Sequence, residues 1–285
     1  MGDTTRFAPS PTGFLHLGHA VAALFARERA HRSGGRFLLR LEDIDPGRCR
    51  PHFAAAITED LRWLGLGWDG PVRVQSEHLP DYAAALASLA ERNLVFPCFC
   101  TRAAVAAEVA AAVHAPHAIS HGPDGAPLYP GTCRALSAGE RAERVARGDP
   151  HAWRIDMARA VRVAGPLSRW EDGEGQIPCH PGRFGDVVLG RKDAPASYHL
   201  CATHDDALTG VTLVTRAQDL RPAADLHRLL QALFGWPAPR YAHHRLMMGA
   251  DGQRLSKRTG APTLRSLREA GADPASIRAQ LGHGS

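Results

Sequence analysis

Hydrophobic and polar positions follow two periods along the chain, and these periods predict alternating strands and helices. Residues 4–8 and 36–41 have the composition of short buried strands, and the alanine-rich segment 17–31 between them favours a helix. Apolar residues then recur at helical spacing in two segments, at Phe53, Ile57, Leu61 and Leu64 and at Tyr82, Leu86 and Leu89. Strands that alternate with helices in this way predict an α/β fold with a parallel, doubly wound sheet.

This rhythm breaks in the middle of the chain, which predicts an inserted subdomain. The segment contains a Gly/Pro/His-rich stretch at 114–131, an arginine-rich helix near 137–147 and strand-like pieces at 152–156 and 160–164. We expect a division into a first half of the α/β domain (1–97), an inserted subdomain (98–178), a second half of the α/β domain (179–240) and a C-terminal region (241–285).

After the insertion, the α/β pattern resumes. Strands are predicted at 186–189, 197–200 and 211–214, and a helix at about 222–234. Two short helices are predicted near 263–270 and 274–281. We therefore expect the second half of the chain to complete the sheet that the first half begins.

Composition restricts the class of protein. The chain has 285 residues, of which 44% are hydrophobic and 22% are charged, so it can form a substantial core and is not a disordered tail. No run reaches the 18 or so apolar residues of a membrane helix, and residues 1–6 lack the apolar segment of a signal peptide. We therefore expect a cytosolic protein, and nothing in the sequence requires more than a monomer.

The basic residues show a bias that draws attention to two positions. The formal net charge of +5 is compatible with a polyanionic partner but does not require one. Only Lys192 and Lys257 are lysines, and the other basic residues are arginines. A lysine retained in such a chain suggests a role for its compact ammonium group.

The segment His16-Leu17-Gly18-His19 is the first candidate for chemistry. It follows the first predicted strand and opens the first predicted helix, where backbone N–H groups and the helix dipole favour phosphate. Two imidazoles can donate hydrogen bonds to a polyphosphate, and the glycine permits a close approach of the backbone. The four residues alone form a weak motif, and their position carries most of the weight.

The segment Arg254-Leu255-Ser256-Lys257-Arg258 is the second candidate. It follows a glycine-containing loop, and such a loop can close over phosphates while the ammonium of Lys257 neutralises the charge on a leaving pyrophosphate. A solvated basic turn is the alternative interpretation of the pentapeptide taken alone.

Together with these two segments, Arg6-Phe7-Ala8-Pro9-Ser10-Pro11-Thr12-Gly13 and Arg40-Leu41-Glu42-Asp43-Ile44-Asp45-Pro46 resemble the catalytic core of class I glutamyl-tRNA synthetases. The resemblance covers almost the whole chain and implies a Rossmann-like sheet with an inserted zinc-containing α+β subdomain. It is closest to the short paralogues that lack an anticodon-binding region. The chain departs from the family at two places. The loop that carries Lys257 reads Arg-Leu-Ser-Lys-Arg, and Ala217 stands where a glycine is usual.

The resemblance also implies roles for individual residues. Glutamate has two carboxylates and one ammonium, so its pocket should combine guanidinium groups with one carboxylate. The implied L-glutamate site consists of Arg6, Phe7, Ala8, Pro9, Ser10, Glu42, Tyr198 and Arg216. The implied ATP site consists of His16, Gly18, His19, Ser256 and Lys257, of which His16, His19 and Lys257 would be catalytic. Mg²⁺ is expected to accompany ATP.

Cys98, Cys100 and Cys133 suggest a metal site, because clustered cysteines in a reducing compartment point to metal before disulfide. Zinc takes four ligands, and the resemblance implies Tyr129 as the fourth. A histidine is the alternative, since His114, His117 and His121 lie in the same loop, and a reduced cluster without metal is the third interpretation.

The resemblance implies that the chain activates L-glutamate with ATP without needing tRNA and transfers it to queuosine in the anticodon of tRNA(Asp). The alternatives are a minimal enzyme that charges the 3′ end of a tRNA, a catalytically idle RNA-binding module, and a nucleotidyltransferase for another small acid. The surplus of positive charge lies in residues 134–169, which hold eight arginines against four acidic residues. This segment is interpreted as a solvated face or as a surface that follows an RNA backbone.

Overall fold

The computed structural model describes residues 2–112, 121–247 and 262–282. The strands are β1 (Thr4–Phe7), β2 (Arg36–Leu41), β3 (Arg73–Val74), β4 (Val95–Cys98), β5 (Ala152–Ile155), β6 (Ser168–Glu171), β7 (Gly175–Pro178), β8 (Val188–Gly190), β9 (Leu213–Ala217) and β10 (Arg240–His244). The helices are α1 (Leu17–Arg32), α2 (Pro51–Trp63), α3 (Leu79–Glu91), α4 (Arg102–Ala112), α5 (Ala138–Ala146), α6 (Met157–Ala164), α7 (Tyr198–Leu208), α8 (Ala223–Phe234), α9 (Leu264–Glu269) and α10 (Pro274–Gly282).

Parallel strands from both halves of the chain lie side by side. Strand β1 pairs with β2 and β2 with β3, while β10 pairs with both β9 and β6, all in parallel. The two groups meet where Thr212 N, just before β9, donates a hydrogen bond to Thr4 O in β1 (2.9 Å). Parallel strands flanked by helices confirm the predicted α/β class.

A second, antiparallel sheet is built from β4, β5 and β8. The predicted C-terminal boundary of the insertion, residue 178, does not separate the strands of the two sheets. Strand β6 lies inside the predicted insertion, 98–178, yet pairs with β10, whereas β8 lies beyond it and pairs with β5. The division of the chain into domains stays a prediction.

Two predicted strands are wrong, because the structure has helices there. Residues 160–164 belong to α6, whose first turn is capped by Asp156: its Oδ1 accepts a hydrogen bond from Arg159 N (3.0 Å). Residues 197–200 are the N-cap and first turn of α7, which is buried over much of its surface. A short apolar run cannot distinguish a buried helix from a strand by periodicity, and Val161 and Val163 biased the first prediction toward a strand.

The C-terminal helices pack into the core of the N-terminal half. Helix α1 presents a stripe of fully buried alanines, and the small side chains let it lie close to the sheet, where Thr5 Oγ1 donates to Ala26 O (2.8 Å). Leu264, Ile277 and Leu281 join the same apolar cluster. The predicted helices near 263–270 and 274–281 are confirmed as α9 and α10. Within the described ranges, no helix is long and apolar enough to span a membrane.

Candidate functional site

A pocket of about 330 Å³ opens at the carboxyl ends of β1, β2, β9 and β10, beside the first turns of α1 and α7. Ligands of open parallel sheets bind at this edge. The pocket brings together every described residue of the predicted glutamate and ATP sites: Arg6, Phe7, Ala8, Pro9, Ser10, His16, Gly18, His19, Glu42, Tyr198 and Arg216. Ser256 and Lys257 lie outside the described residues. The roles of all these residues stay predictions.

The two histidines at the start of α1 cap the helix with their own side chains. His16 Nδ1 accepts a hydrogen bond from Gly18 N, and His19 Nδ1 accepts one from His16 N, both at 3.1 Å. Because Nδ1 is an acceptor in both rings, the neutral forms carry their proton on Nε2. A Cβ at residue 18 would lie 3.0 Å from Cε1 of His16, so glycine leaves the space that this ring occupies.

Arg6 on β1 and Arg40 on β2 share one buried carboxylate. Arg6 Nε donates to Oδ1 of Asp206 at 2.8 Å, and Arg40 Nη1 donates to the same oxygen at 2.6 Å. All three side chains are nearly inaccessible to solvent. Burial acts to raise the pKa of Asp206, but the charges of Arg6, Arg40 and, at longer range, Arg216 outweigh it and lower that pKa to about 2. The aspartate therefore remains ionised and fixes both arginines.

Glu42 and Tyr198 complete the polar wall of the pocket. Arg40 Nη2 donates to Glu42 Oε1 at 2.9 Å, which orients the carboxylate just beyond the end of β2. Burial raises the pKa of Glu42, against the opposing effect of Arg40. The Tyr198 ring lies 6.0 Å from Cζ of Arg216, and burial raises the pKa of its hydroxyl. Glu42 thus offers a carboxylate to a ligand ammonium, beside an aromatic wall.

Arg216 on β9 differs from the other two arginines, because no carboxylate of the described chain lies within 4.0 Å of its nitrogens. It is 6% exposed, and its Nη1 is buried without a hydrogen-bond partner. Its Nη2 contacts Nδ1 of His227 at 2.8 Å. Asp206 acts on this charge only from beyond contact distance, and a buried charge without a direct counter-charge is costly. An anion in the pocket would relieve that cost. Arg216 is therefore a candidate residue for binding a carboxylate group of a ligand.

The alanine that follows Arg216 is compatible with the local backbone. Ala217 has φ −71° and ψ 150°, an extended conformation open to any residue. The departure from the family glycine at this position therefore introduces no backbone strain.

The three clustered cysteines form a second candidate site, remote in sequence from the pocket residues. The Sγ atoms of Cys98, Cys100 and Cys133 lie within 4.8 Å of one another, and those of Cys100 and Cys133 are 3.5 Å apart. Tetrahedral zinc with Zn–S bonds of about 2.3 Å places its ligand atoms about 3.8 Å apart. The spacing therefore fits a metal ion, and the cluster can hold one.

Tyr129 lies at the open corner of this cluster. Its Oη is 3.7 Å from Cys100 Sγ and accepts a hydrogen bond from Cys133 N at 2.6 Å. Among the described residues, no histidine belongs to the cluster, although His114 and His117 lie outside those residues. Burial acts to raise the pKa of Cys133, but hydrogen bonds, first that from Phe99 N, outweigh it and lower that pKa. A lowered pKa favours the thiolate that binds metal.

Cationic side chains pack around the cysteine cluster. Lys192 Nζ donates to the carbonyl of Phe99, between the first two cysteines, at 3.1 Å. On α5, the guanidinium groups of Arg141 and Arg144 lie over the rings of Phe96 and Phe99, at 5.9 Å and 3.9 Å. Part of the arginine-rich segment therefore braces the cluster through cation–π contacts and is not a freely solvated face.

Sequence reasoning assigned no role to several residues that shape the pocket. Asp206 and Arg40 occur in segments that carry the resemblance, yet their pairing spans 166 positions and is visible only in the fold. A signal existed for Asp206, because two adjacent acids lie inside the predicted α/β segment between Leu200 and Leu208. His227 gave a similar signal, since it stands among leucines in α8.

Comparisons with known proteins show which family the chain resembles. The family model for the catalytic domain of class I tRNA synthetases (E and Q) matches residues 4–282. A glutamyl-Q tRNA(Asp) synthetase of Rhodobacter capsulatus is 44% identical over 291 residues, covering 98% of this chain and 99% of that protein. A protein of the same name from Deinococcus radiodurans is 43% identical, covering 99% of this chain and 89% of its own.

A solved structure is similar over most of the chain. The crystal structure of a glutamate tRNA ligase from Elizabethkingia meningosepticum, in complex with its amino acid, aligns with a TM-score of 0.76 and 28% identity. The alignment covers 91% of this chain and 53% of the ligase, so the chain spans about half the length of that protein.

Proposed function

We propose that this chain, which belongs to the family of class I tRNA synthetase catalytic domains for glutamate and glutamine, activates L-glutamate with ATP and transfers it to tRNA(Asp). The acceptor is the queuosine base at the wobble position of the anticodon. Relatives named glutamyl-Q tRNA(Asp) synthetase, which match nearly the whole length of this chain, support this choice of acceptor. The reaction makes the chain a ligase, and its tRNA substrate points to the cytoplasm.

The observation that carries the proposal is the charge of Arg216. A buried guanidinium with no carboxylate partner in the described chain lines a pocket that also holds a carboxylate, Glu42. Glutamate supplies the matching set, because its carboxylates can bind arginine and its ammonium can bind Glu42. Arg6, already fixed by Asp206, provides a second guanidinium in the same wall.

The activation step needs no protein nucleophile. The α-carboxylate of glutamate attacks the α-phosphorus of ATP, a bond forms to one carboxylate oxygen, and pyrophosphate leaves. The enzyme contributes position and charge stabilisation. We assign ATP to the side of the pocket formed by His16, Gly18 and His19 at the start of α1. Ser256 and Lys257 are proposed to act on the phosphates, with Mg²⁺ as the accompanying cation.

In the second step, a hydroxyl of the queuosine cyclopentene-diol attacks the glutamyl carbonyl carbon. An ester forms, AMP leaves, and the hydroxyl proton is released. Activation precedes this step and does not require tRNA.

We propose that the cysteine cluster holds a structural zinc ion, bound by Cys98, Cys100, Cys133 and Tyr129. The sulfur spacing and the position of Tyr129 Oη fit four tetrahedral ligands. When bound, zinc would tie β4 to the loop that carries Tyr129 and Cys133. The packing of Arg141 and Arg144 over neighbouring aromatic rings is consistent with a bracing role.

Two measurements test the function. Purified chain should catalyse glutamate-dependent exchange of pyrophosphate into ATP without tRNA, and exchange driven by a different acid, or no exchange, would refute the first step. Radiolabelled glutamate should then be transferred to tRNA(Asp) that carries queuosine and not to the same tRNA lacking it. Transfer to the queuosine-free tRNA would instead favour a minimal enzyme charging the 3′ end. We expect a monomer by light scattering.

A further inference from the structure

A histidine, and not a carboxylate, holds the arginine whose charge distinguishes the pocket. Arg216 Nη2 lies 2.8 Å from His227 Nδ1, and His227 on α8 is 1% exposed. We propose that His227 is a positioning residue: as a neutral acceptor, it orients the Arg216 guanidinium and leaves its positive charge for a carboxylate of the substrate. This inference rests on the proposed function of the pocket.

The protonation state of His227 follows from its two hydrogen bonds. A guanidinium nitrogen can only donate, so Nδ1 of His227 must be the acceptor and carries no proton. The neutral ring then has its proton on Nε2, which lies 3.1 Å from Nδ1 of His199 on α7. Nδ1 of His199 accepts a hydrogen bond from this Nε2–H group, which fixes the tautomer of His227.

The surroundings keep both rings neutral. Burial, followed by the charge of Arg216, lowers the pKa of His227 well below its ordinary value. The same two causes lower the pKa of His199 to about 4. The ring of Tyr198 packs against both imidazoles, with centroid distances of 5.3 Å and 5.8 Å. Arg216 is therefore oriented on its core side by groups that bring no negative charge.

The other arginines of the pocket wall show the contrast. Arg6 and Arg40 both donate to the ionised carboxylate of Asp206, which offsets much of their charge. A carboxylate in place of His227 would orient Arg216 equally well but would compete with the substrate for its charge. The proposal therefore separates two properties that an ordinary ion pair combines, namely orientation and neutralisation.

The matched variants His227→Asn and His227→Asp separate these two properties. The side chains have the same shape, and both present an acceptor oxygen at the position of Nδ1, so they differ chiefly in charge. Glutamate affinity is measured by calorimetry, and the KM values for glutamate and ATP by pyrophosphate exchange. We expect H227N to remain within about threefold of wild type, and H227D to raise the glutamate Kd and KM by at least about tenfold while the ATP KM stays within about twofold.

Thermal stability and glutamate affinity, measured on the same variants, together distinguish the proposal from a merely structural role. If His227 only anchors Arg216, H227D should be the better anchor and should equal or exceed H227N in both stability and glutamate affinity. We expect H227D to be at least as stable as H227N yet weaker in glutamate binding. His52→Asp, an exposed substitution on α2 outside the pocket, controls for the added charge and should leave both constants unchanged.

The outcomes are distinguishable. H227D with the glutamate affinity of H227N overturns the inference and leaves the proposed function standing, because wild type still activates glutamate. His227→Leu with wild-type affinity would also overturn it, since the ring would then only fill space. A wild type that neither binds nor activates glutamate overturns both.

Discussion

Replacing Asp206 by asparagine tests whether the pocket depends on its buried carboxylate. The substitution retains the shape of the side chain and removes the charge that holds Arg6 and Arg40, whose nitrogens lie 2.8 Å and 2.6 Å from Oδ1. We expect a less stable protein with a raised KM for glutamate, because Arg6 lines the pocket and loses its fixed position.

The magnitude follows from the lowered pKa. A shift from 3.8 to about 2 corresponds to about 2.4 kcal/mol of stabilisation at pH 7, at about 1.36 kcal/mol per pKa unit. Removing one partner of a buried charge cluster also leaves the other charges uncompensated, and such losses reach about 3–5 kcal/mol. We therefore expect the free energy of unfolding to fall by about 2–5 kcal/mol in D206N.

Urea denaturation as a function of pH provides the assay. A carboxylate with a lowered pKa in the folded state stabilises above its unfolded pKa of about 3.8, and this contribution is lost as the pH falls through its folded pKa of about 2. The difference in unfolding free energy between wild type and D206N should thus be constant above about pH 5 and should shrink below pH 4. Asp172→Asn is the control, because Asp172 pairs with Arg29 at the surface and should cost at most about 1 kcal/mol.

Two results would refute this reasoning. A stability difference that does not change between pH 7 and pH 3 would show that the charge of Asp206 is not the cause. A D206N protein with wild-type stability and wild-type glutamate KM would show that Arg6 and Arg40 are held by other contacts.

Three further predictions concern separate parts of the chain. Gly18→Ala should displace the His16 ring and slow pyrophosphate exchange by about ten- to a hundredfold with little change in stability, and unchanged exchange would contradict the assigned close approach. Asp60 is fully buried, neither carboxylate oxygen has a hydrogen-bond partner, and burial raises its pKa to about 6 against the opposing charge of Arg268, whose Nη2 lies 3.7 Å from Oδ1. Asp60→Asn should therefore stabilise by up to about 3 kcal/mol at pH 7 and by little at pH 4, measured by urea midpoints, whereas equal effects at the two pH values would exclude ionisation as the cause. Cys133→Ala should reduce zinc from one ion per chain to near none by elemental analysis, and an unchanged zinc content would reject the proposed site.

Periodicity predicted elements well where one pattern extends over several turns or alternates cleanly. The predicted strand at 36–41 coincides with β2, and the helix predicted at about 222–234 coincides with α8 to within one residue at its start. It was wrong at 160–164, where valines suggested a strand. At these residues, the N-cap Asp156 and the burial of Ala160 on one face stabilise the helix α6.

The residues of the pocket were accessible from the sequence because they match, position by position, the family that the chain resembles. Their supporting contacts were not, since those depend on distant segments that only the fold brings together. Asp206 reaches Arg6 across 200 positions, and Arg216 is held by His227 from a different element. A lone histidine among leucines looks like a core residue until its partner is seen.

The packing of α9 and α10 into the N-terminal core has a consequence for synthesis on the ribosome. The apolar residues of α1 and α2 emerge early, but Leu264, Ile277 and Leu281, which complete their cluster, are made about 200 residues after α2. At about 5–20 residues per second, the nascent chain waits about 10–40 s before this core can close. During that interval the apolar residues of α1 and α2 lack these partners, and we expect residues 4–64 to acquire protease resistance only after Leu281 has been made.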